Sequence, residues 1–393
     1  MNCMKQITLL IVILLLLTGC WDKIELEKRA FVYGVGIDLA EEQSSSKSSK
    51  IKLTSQLIVP EQLVTLSGGG SGPAYRNLSA TGDTIINNNR ETLKQTSRVT
   101  DVTHLRVILF SEDVIKQPNL FKEHIDVFLR EKDMRRGMLI AIASGKAGDL
   151  LSVEPEDEKL PSHYIGELLE IRGNIETVES IRIGDIQEKV LQQESFTLPQ
   201  LKKLEPKIID YEGIAVYNGR KAQMVGTLKG DEAKGLNIII EEKNTGTLNI
   251  EVDGKVAAIE LLRIDHKFQL ENNDPSNLQF KINLKVNGTI AEQYGNQDVM
   301  KEEVHKKFEI ELKEKISELT EKAVEKLQKD YMTDVLGLGT YLHHYHPKLW
   351  EQMKNNWEIG ENYFSKSKIT FDIDVLIERP GTINKTSDGS RFR

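Results

Sequence analysis

The chain has 393 residues, of which 39% are hydrophobic and 28% are charged, and its formal net charge is −8 at pH 7. This is the composition of ordinary globular material, and the chain is too long for one hydrophobic core, so we expect two or three domains. The acidic balance disfavours nucleic acid and anionic lipid headgroups as partners, and the 2 cysteines make a disulfide framework implausible.

The N-terminus has the layout of a bacterial secretory signal that ends at a lipid attachment site. An apolar run from Ile7 to Leu17 would form a helix of about 16 Å, roughly half the hydrocarbon thickness of a membrane. The Leu-Thr-Gly-Cys that closes it matches the bacterial lipobox, which predicts removal of residues 1–19 and acylation of Cys20. A two-chain lipid on that cysteine would anchor the protein durably. Because Cys3 lies in the removed segment, the mature chain has no internal disulfide and no catalytic thiol.

Residues 20–200 are predicted to form an N-terminal α/β region of one or two lobes. Strands over 30–38 and 51–59 form a hairpin with a Ser-rich tip, and a flexible Gly-rich loop follows it. Short apolar strands then alternate with amphipathic helices, which is typical of a mixed α/β lobe. The expected elements are a helix over 82–97, a strand over 105–110, a helix over 119–131, a strand over 137–144 and helices over 162–171 and 183–192.

We place a domain boundary in the proline-containing segment 195–207 and expect residues 206–381 to form a second domain. Asn218-Gly219 and Asp253-Gly254 are predicted hairpin tips, because this pair of residues suits a two-residue turn. Alternation from 280 to 290 adds another strand, which favours an antiparallel sheet with one wet face.

The longest predicted helix, over 300–331, carries a single apolar stripe. Its members are Val304, Phe308, Leu312, Ile316, Leu319, Ala323 and Leu327. The stripe indicates a helix laid across the second sheet, with an exposed partner-binding coil as the alternative. A last strand over 368–378 and a polar tail over 382–393 complete the chain. The fold class is therefore mixed α/β (α+β), with an α/β half followed by a mostly antiparallel sheet packed by a long helix.

Two glycine motifs resemble phosphate-binding motifs, but each lacks a residue that such a motif requires. Gly34-Val-Gly36 lacks the third glycine of a dinucleotide fingerprint and is followed by a turn and a strand. The loop around Lys146 has Ala147 where a phosphate loop needs Ser or Thr. Its glycines more simply allow a turn between a strand and a helix.

The sequence offers one metal candidate and no catalytic motif. His343, His344 and His346 are close enough to coordinate, but no carboxylate or cysteine lies at ligand spacing, which favours a surface or packing role. The acidic run over 154–158 indicates a solvated loop, with weak cation binding as the alternative. Because the nucleophile-elbow and zinc-protease motifs are also absent from the sequence, we predict no enzyme, no catalytic residues, no metal and no cofactor.

A series of stretches spread over both halves forms a recognisable pattern. They are GCWDKIEL (19–26), VYGVGID (32–38), LRVILFSED (105–113), VFLREKDMRR (127–136), GIAVYNGRKAQMVGTL (213–228), DVLGLGTYLHHYHPKLWEQMKNNW (334–357) and a closing RPG. The Cys-Trp-Asp triplet combined with the late Gly-x-Gly and Pro-x-x-Trp is the most specific part. In these residues the chain resembles the Ger(x)C lipoproteins, the C subunits of nutrient germinant receptors in spore-forming bacteria. Leu338 departs from the pattern, since an aromatic residue is more usual there.

The resemblance implies a lipid-anchored accessory subunit without enzymatic activity, on the outer face of the inner spore membrane. It implies integral A and B subunits as partners, the membrane lipid reached through an N-palmitoyl, S-diacylglyceryl Cys20, and a role in nutrient-triggered germination. Direct binding of a small-molecule germinant stays open. The competing interpretation is a lipid-anchored solute-binding protein of a transporter, which two similar α/β lobes around a hinge would favour.

Overall fold

The structure is a computed structural model, and it describes residues 28–41, 50–63, 73–132, 134–171, 174–240, 246–294 and 298–378. The predicted signal, Cys20 and the polar tail over 382–393 lie outside the described residues. Within those ranges, no helix combines the length and the apolar character needed to cross a membrane.

The first sheet contains ten of the described strands, in the order β10-β9-β8-β6-β5-β1-β2-β3, with β4 beside β1 and β7 beside β6. Its strands are β1 (Arg29–Leu39), β2 (Ile51–Ile58), β3 (Tyr75–Gly82), β4 (Val99–Asp101), β5 (Val107–Ser111), β6 (Leu139–Ala143), β7 (Ile181–Arg182), β8 (Phe196–Glu205), β9 (Ile208–Asn218) and β10 (Gln223–Leu228). Its helices are α1 (Pro60–Leu63), α2 (Ile85–Leu93), α3 (Glu112–Lys116), α4 (Leu120–Arg130), α5 (Ala147–Leu150), α6 (Pro161–Glu170) and α7 (Ile183–Gln192).

Parallel strands form the centre of this sheet. Strands β1, β5, β6 and β8 run parallel to one another, and every residue of β5 and β6 is buried. Such continuous apolar runs are typical of strands covered on both faces. Helices α3, α4 and α7 cover one face, and α5 and α6 cover the other.

The second sheet contains four strands, in the order β11-β12-β13-β14. They are β11 (Gly246–Val252), β12 (Lys255–Asn272), β13 (Gln279–Gln293) and β14 (Lys368–Glu378). The helical elements of this part are α8 (Asp231–Ile240), α9 (Glu302–Glu325), a π-helix (Lys326–Tyr331), α10 (Leu338–Tyr345), α11 (Pro347–Met353), a 3-10 turn (Lys354–Asn356) and α12 (Tyr363–Lys366).

The long helix lies across the second sheet, which confirms the interpretation of its apolar stripe. The side chains of Phe308, Leu312, Ile316 and Leu319 are at most 1% exposed in the core that this helix shares with β11 to β14. Helix α8 crosses α9 at very close range. A Cβ at Gly235 would lie 1.9 Å from the carbonyl oxygen of Leu319, so only glycine fits there.

Most of the elements predicted in the N-terminal half are present, and two differ. The predicted helix over 82–97 is shorter, because β3 runs to Gly82 and the Thr84 side chain caps α2 by accepting the Asn87 N–H at 3.2 Å. Strand β3 itself is absent from our prediction.

In the second sheet both hairpin neighbours of β12 are antiparallel, but β14 pairs parallel to β13, because α9 to α12 carry the chain back to the same end of the sheet.

Strand β8 occupies most of the segment 195–207, where we placed a domain boundary. Pro199 is tolerated in β8 because that strand pairs with β6 only through Gln200 and Leu201. The β9–β10 hairpin, which we assigned to the second domain, pairs with β8 in the first sheet. Its residues alternate between the two cores, with Ala215 and Tyr217 in the first core and Ile214, Val216 and Leu228 in the second. The division of the chain at 195–207 stays a prediction.

Candidate functional site

A cleft of about 740 Å³ lies between two walls. The first wall is formed by the end of α7 and the start of β8, and the second by the segment 334–358. One wall carries Gln193 and Ser195, and the facing wall carries Asp334, Trp350 and Glu358. The second wall is the stretch that contains the Gly-x-Gly and Pro-x-x-Trp motifs. One wall of the cleft is therefore formed by the most specific stretch of the sequence pattern.

The Asp334 carboxylate organises this second wall. The residue is 7% exposed. Its two oxygens accept five hydrogen bonds of 2.7–3.3 Å, from the backbone N–H groups of Leu336, Gly337, Leu338 and Gly339 and from the indole Nε1 of Trp357. One side chain thus ties the turn before α10 to the tryptophan that follows α11.

The two glycines of the motif have separate steric roles. Gly337 has a φ of +89°, in the left-handed region that favours glycine. A Cβ at Gly339 would lie 2.9 Å from Nε1 of Trp357 and 3.1 Å from the ring of Trp350, so a side chain there would displace both indoles. Leu338, the departure from the pattern, is fully buried in the second core.

Glu358 is a second buried acid in this wall. It is 5% exposed, and its Oε1 accepts the Asp334 N–H at 2.6 Å. Burial and the neighbouring Asp334 carboxylate raise the pKa of Glu358 to about 8, against the smaller lowering effects of the Ser195 hydroxyl and the Arg220 charge. Burial also raises the pKa of Asp334, which its backbone N–H and indole donors oppose.

The tip of the β9–β10 hairpin joins the two walls. Arg220 donates to the Oε1 of Gln193 at 2.9 Å and to the carbonyl oxygen of Lys354 at 3.0 Å. Beside it, Asn218 donates to the hydroxyl of Thr333 at 2.7 Å. The sequence analysis predicted this hairpin, but its two-residue turn at Asn218-Gly219 was wrong, because four residues, 219–222, join β9 to β10 and the positive φ is at Ala222. The bridging role of the tip was missed. Asp334 and Glu358 were missed as well, although an aspartate just before a Gly-x-Gly loop is a signal that could have been read.

The three histidines of the metal candidate have separate polar neighbours, although the ring centroids of His343 and His344 lie 5.6 Å apart. His344 is hydrogen-bonded to the carbonyl of Thr340 at 2.9 Å, His346 lies 3.5 Å from the hydroxyl of Tyr341, and His343 lines the cleft. In the ranges that the structure covers, no group of three or more His, Cys, Asp or Glu side chains could hold a metal ion. In the acidic run, Glu156 and Glu158 are paired with Lys207 and His163.

The glycines of β1 and the loop after β6 serve packing. A Cβ at Gly34 would lie 2.6 Å from the Cβ of Ser162, so the glycine lets α6 approach the sheet. The N-terminus of α5 is capped from β1 by Asp38, whose carboxylate accepts the N–H groups of Ala147 and Gly148 at 2.6 and 3.0 Å. A carboxylate of the protein therefore fills the position that a phosphate loop would leave to its ligand.

Two family models match the chain in succession. The spore germination protein N-terminal domain matches residues 22–203, and the spore germination B3/GerAC-like C-terminal domain matches residues 212–381.

Three curated relatives from Bacillus subtilis (strain 168) are similar over nearly their whole length. Spore germination protein YndF is 26% identical over 96% of this chain and 98% of its own. Spore germination protein A3 is 26% identical, with 94% and 95% covered. Spore germination protein B3 is 25% identical, with 98% and 100% covered. A solved structure, the crystal structure of the GerBC protein, shares the fold with a TM-score of 0.59, at 20% identity over 91% of this chain and 100% of that one.

Proposed function

This chain belongs to the GerAC-like spore germination proteins, and from that membership we propose that it is the lipid-anchored accessory (C) subunit of a nutrient germinant receptor. The observation that carries the proposal is the match of both family domains, in order, over residues 22–381. The cleft also supports the proposal, because the Gly-x-Gly and Pro-x-x-Trp stretch that resembles the family forms one of its walls.

The architecture supports this function over a solute-binding protein of a transporter. The first sheet is mixed and covered by helices on both faces, whereas the second has four strands and one long helix across it. Two lobes so unlike in topology do not form the paired halves that close on a solute around a hinge. We therefore propose that the chain acts by association with other proteins, without enzymatic activity.

Its partners, in this proposal, are the integral A and B subunits of the receptor. Anchoring at Cys20 on the extracytoplasmic face of the inner spore membrane would place the body beside them. A tether of this kind raises the effective concentration of its partners to about the millimolar range, which makes weak contacts sufficient.

The lipid anchor is tested by Cys20→Ala. We expect the variant to be folded, because the described body begins beyond that residue, and to be lost from the membrane fraction, because the acyl chains supply the retention. Membrane fractionation and mass spectrometry of the N-terminus make the measurement. An unmodified Cys20 in the native protein would refute the anchoring.

Receptor function is tested in spores of the source organism from which the gene has been deleted. We expect them to lose or slow the response to one class of nutrient, with rescue by the wild-type chain and retention of the A subunit on the tagged chain in detergent. A normal response to every nutrient, with no A or B subunit retained, would exclude the proposed role.

A further inference from the structure

Three parallel strands begin side by side at one edge of the first sheet. The Arg106 N–H donates to the carbonyl of Tyr33 at 2.9 Å, and the Leu139 N–H donates to the carbonyl of Arg106 at 2.8 Å. These bonds align the starts of β5 and β6 with each other and with Tyr33, in the middle of β1. Strand β1 extends farthest, to Arg29, which forms an ion pair of 2.6 Å with Asp101. We call this the strand-start edge.

The described chain enters the fold at the strand-start edge. Its first residue is Lys28, and Cys20 lies eight residues before it. Eight residues span at most about 29 Å even when fully extended. A lipid on Cys20 therefore keeps the strand-start edge within that distance of the membrane surface.

The loop between α4 and β6 brings three cations to the same edge. Lys132, Arg135 and Arg136 are exposed, and none of them has a carboxylate partner among the described residues. The loop is anchored to the body, since Met134 packs on the first core beside Val102 and the carbonyl of Arg136 accepts the Gly184 N–H at 3.1 Å.

Two of the nearby carboxylates are engaged by other cations, and a third, Glu131 beside Lys132, is half-buried. Asp101 is paired with Arg29, and Glu170 is shared between Arg106 and Arg182 at 3.1 Å each. The three loop cations are thus available to an external anion, although the chain as a whole carries a net charge of −8.

We propose that the strand-start edge is a membrane-contact surface, on which Lys132, Arg135 and Arg136 bind anionic phospholipid headgroups. The proposal rests on the lipid anchoring of Cys20. Attraction to a charged bilayer falls off within about 8 Å at physiological ionic strength, so cations held next to the surface outweigh acidic groups farther away. The lipid retains the protein, and the cations orient it.

A depth measurement on the lipidated mature chain tests the orientation. If Cys20 is acylated, a cysteine introduced elsewhere is the single reactive thiol, so Val99→Cys on the strand-start edge and exposed Asp149→Cys can each carry one fluorophore. The two positions lie at opposite ends of β1, because Val99 pairs with Arg29 and the Gly148 N–H donates to Asp38. The vesicles contain phosphatidylcholine and phosphatidylglycerol with an acceptor dye on the headgroups. We expect severalfold higher energy transfer from position 99 than from position 149.

The charges are tested in the same assay with K132Q/R135Q/R136Q. The matched control, K255Q/K267Q/K285Q, removes three exposed lysines from the second sheet. We expect the triple loop variant, 1 M salt and vesicles of phosphatidylcholine alone each to reduce the difference between the two labels, and the control variant to preserve it.

The membrane-contact surface and the lipid anchor can be refuted separately. Equal transfer from both positions, or a difference that the loop variant leaves unchanged, overturns the membrane-contact surface while the anchor stands. A mature chain that does not float with the vesicles overturns the anchoring, and with it part of the proposed function.

Discussion

The Asp334 carboxylate accepts five hydrogen bonds in a nearly closed site, and an amide could not replace it. Asp334→Asn would place an NH2 group against N–H donors, so we expect the free energy of unfolding to fall by about 2–4 kcal/mol. Urea denaturation followed by tryptophan fluorescence measures it. Asp374→Asn, at an exposed position of β14, is the control and should change stability by less than about 0.5 kcal/mol. Equal losses in the two variants would show that the hydrogen bonds of Asp334 contribute little.

Glu358 should make stability depend on pH around neutrality. Its pKa is about 8 in the folded protein against an ordinary value of 4.5, so the folded state binds the proton more tightly than the unfolded chain. The contribution of this group to stability is therefore full below pH 4.5 and is lost as the pH rises through 8. We expect Glu358→Gln to remove that slope and to be more stable than wild type above pH 8 by roughly 2–4 kcal/mol.

The measurement is the denaturation midpoint at pH 5, 6.5 and 8.5 for wild type, Glu358→Gln and the control Glu351→Gln. Glu351 lines the same cleft but is exposed and paired with Lys354, so its variant should follow the wild-type profile. A wild-type slope that survives in Glu358→Gln would assign the titration to another group.

The roles of Asp334 and Glu358 could not be predicted from the sequence. The Gly-x-Gly and Pro-x-x-Trp motifs were visible in the sequence, but the contact of Asp334 with Trp357 and Glu358 depends on how α10 and α11 fold back. Spacing along the chain does not encode that geometry. In the histidine cluster, proximity in sequence does bring the rings of His343 and His344 to 5.6 Å, while His344 and His346 also lie against a carbonyl and a hydroxyl group. The absence of a metal there stays a prediction.

Among the helices, the crossing of α8 and α9 depends on one glycine. Gly235→Ala would gain helix propensity of about 1 kcal/mol but would force Cβ against the carbonyl of Leu319, so we expect a net loss of several kcal/mol, on the order of the cost of overpacking a core. The matched control is Gly166→Ala in α6, where Cβ would meet the flexible side chain of Arg106. Thermal unfolding compares them. A stabilised Gly235→Ala would mean that the two helices can separate at little cost.

Periodic helices and short apolar strands were predictable, among them the strands observed as β5 and β6, but other elements were missed. The stripe of α9 and the Asp253-Gly254 turn follow from local pattern, and Asp253 and Gly254 do adopt φ values of +51° and +73°. Strand β3 and helix α8 were missed because their apolar residues are few or continuous. Their structure comes from pairing with β2 and packing on α9.

Across the whole molecule, the β9–β10 hairpin joins the two cores. Because Ile214 faces the second core from a strand of the first sheet, we expect a single cooperative unfolding transition. Trp350 and Trp357 report on the second core and far-ultraviolet circular dichroism on the whole, so the two midpoints should coincide. Ile214→Ala should lower the free energy of unfolding by the same amount with both probes, about 2–5 kcal/mol. Separate midpoints would mean that the cores unfold independently.

This shared hairpin explains why a boundary is hard to place from sequence. A proline-containing stretch with little period resembles a linker, yet β8 has a sheet partner on each side of it. The fold class could be predicted because helical and strand periods differ between the halves. The sequence could not predict that the β9–β10 hairpin contributes side chains to both cores, because both faces of β9 are apolar.

The π-helix between α9 and the cleft makes chain length there as important as residue identity. It ends at Tyr331, and the Thr333 N–H still reaches back to the carbonyl of Leu327 at 3.1 Å. Deleting a single residue from 326–331 would tighten the turn and rotate everything after it by about 100°. The Asp334 carboxylate would then face away from its loop. Natural variants should therefore accept substitutions at the exposed Lys329 and Asp330 but not at the buried Leu327 or at Tyr331, whose hydroxyl donates to the carbonyl of Thr227. Insertions and deletions should be rejected throughout, so a set of aligned relatives would show a gap-free block.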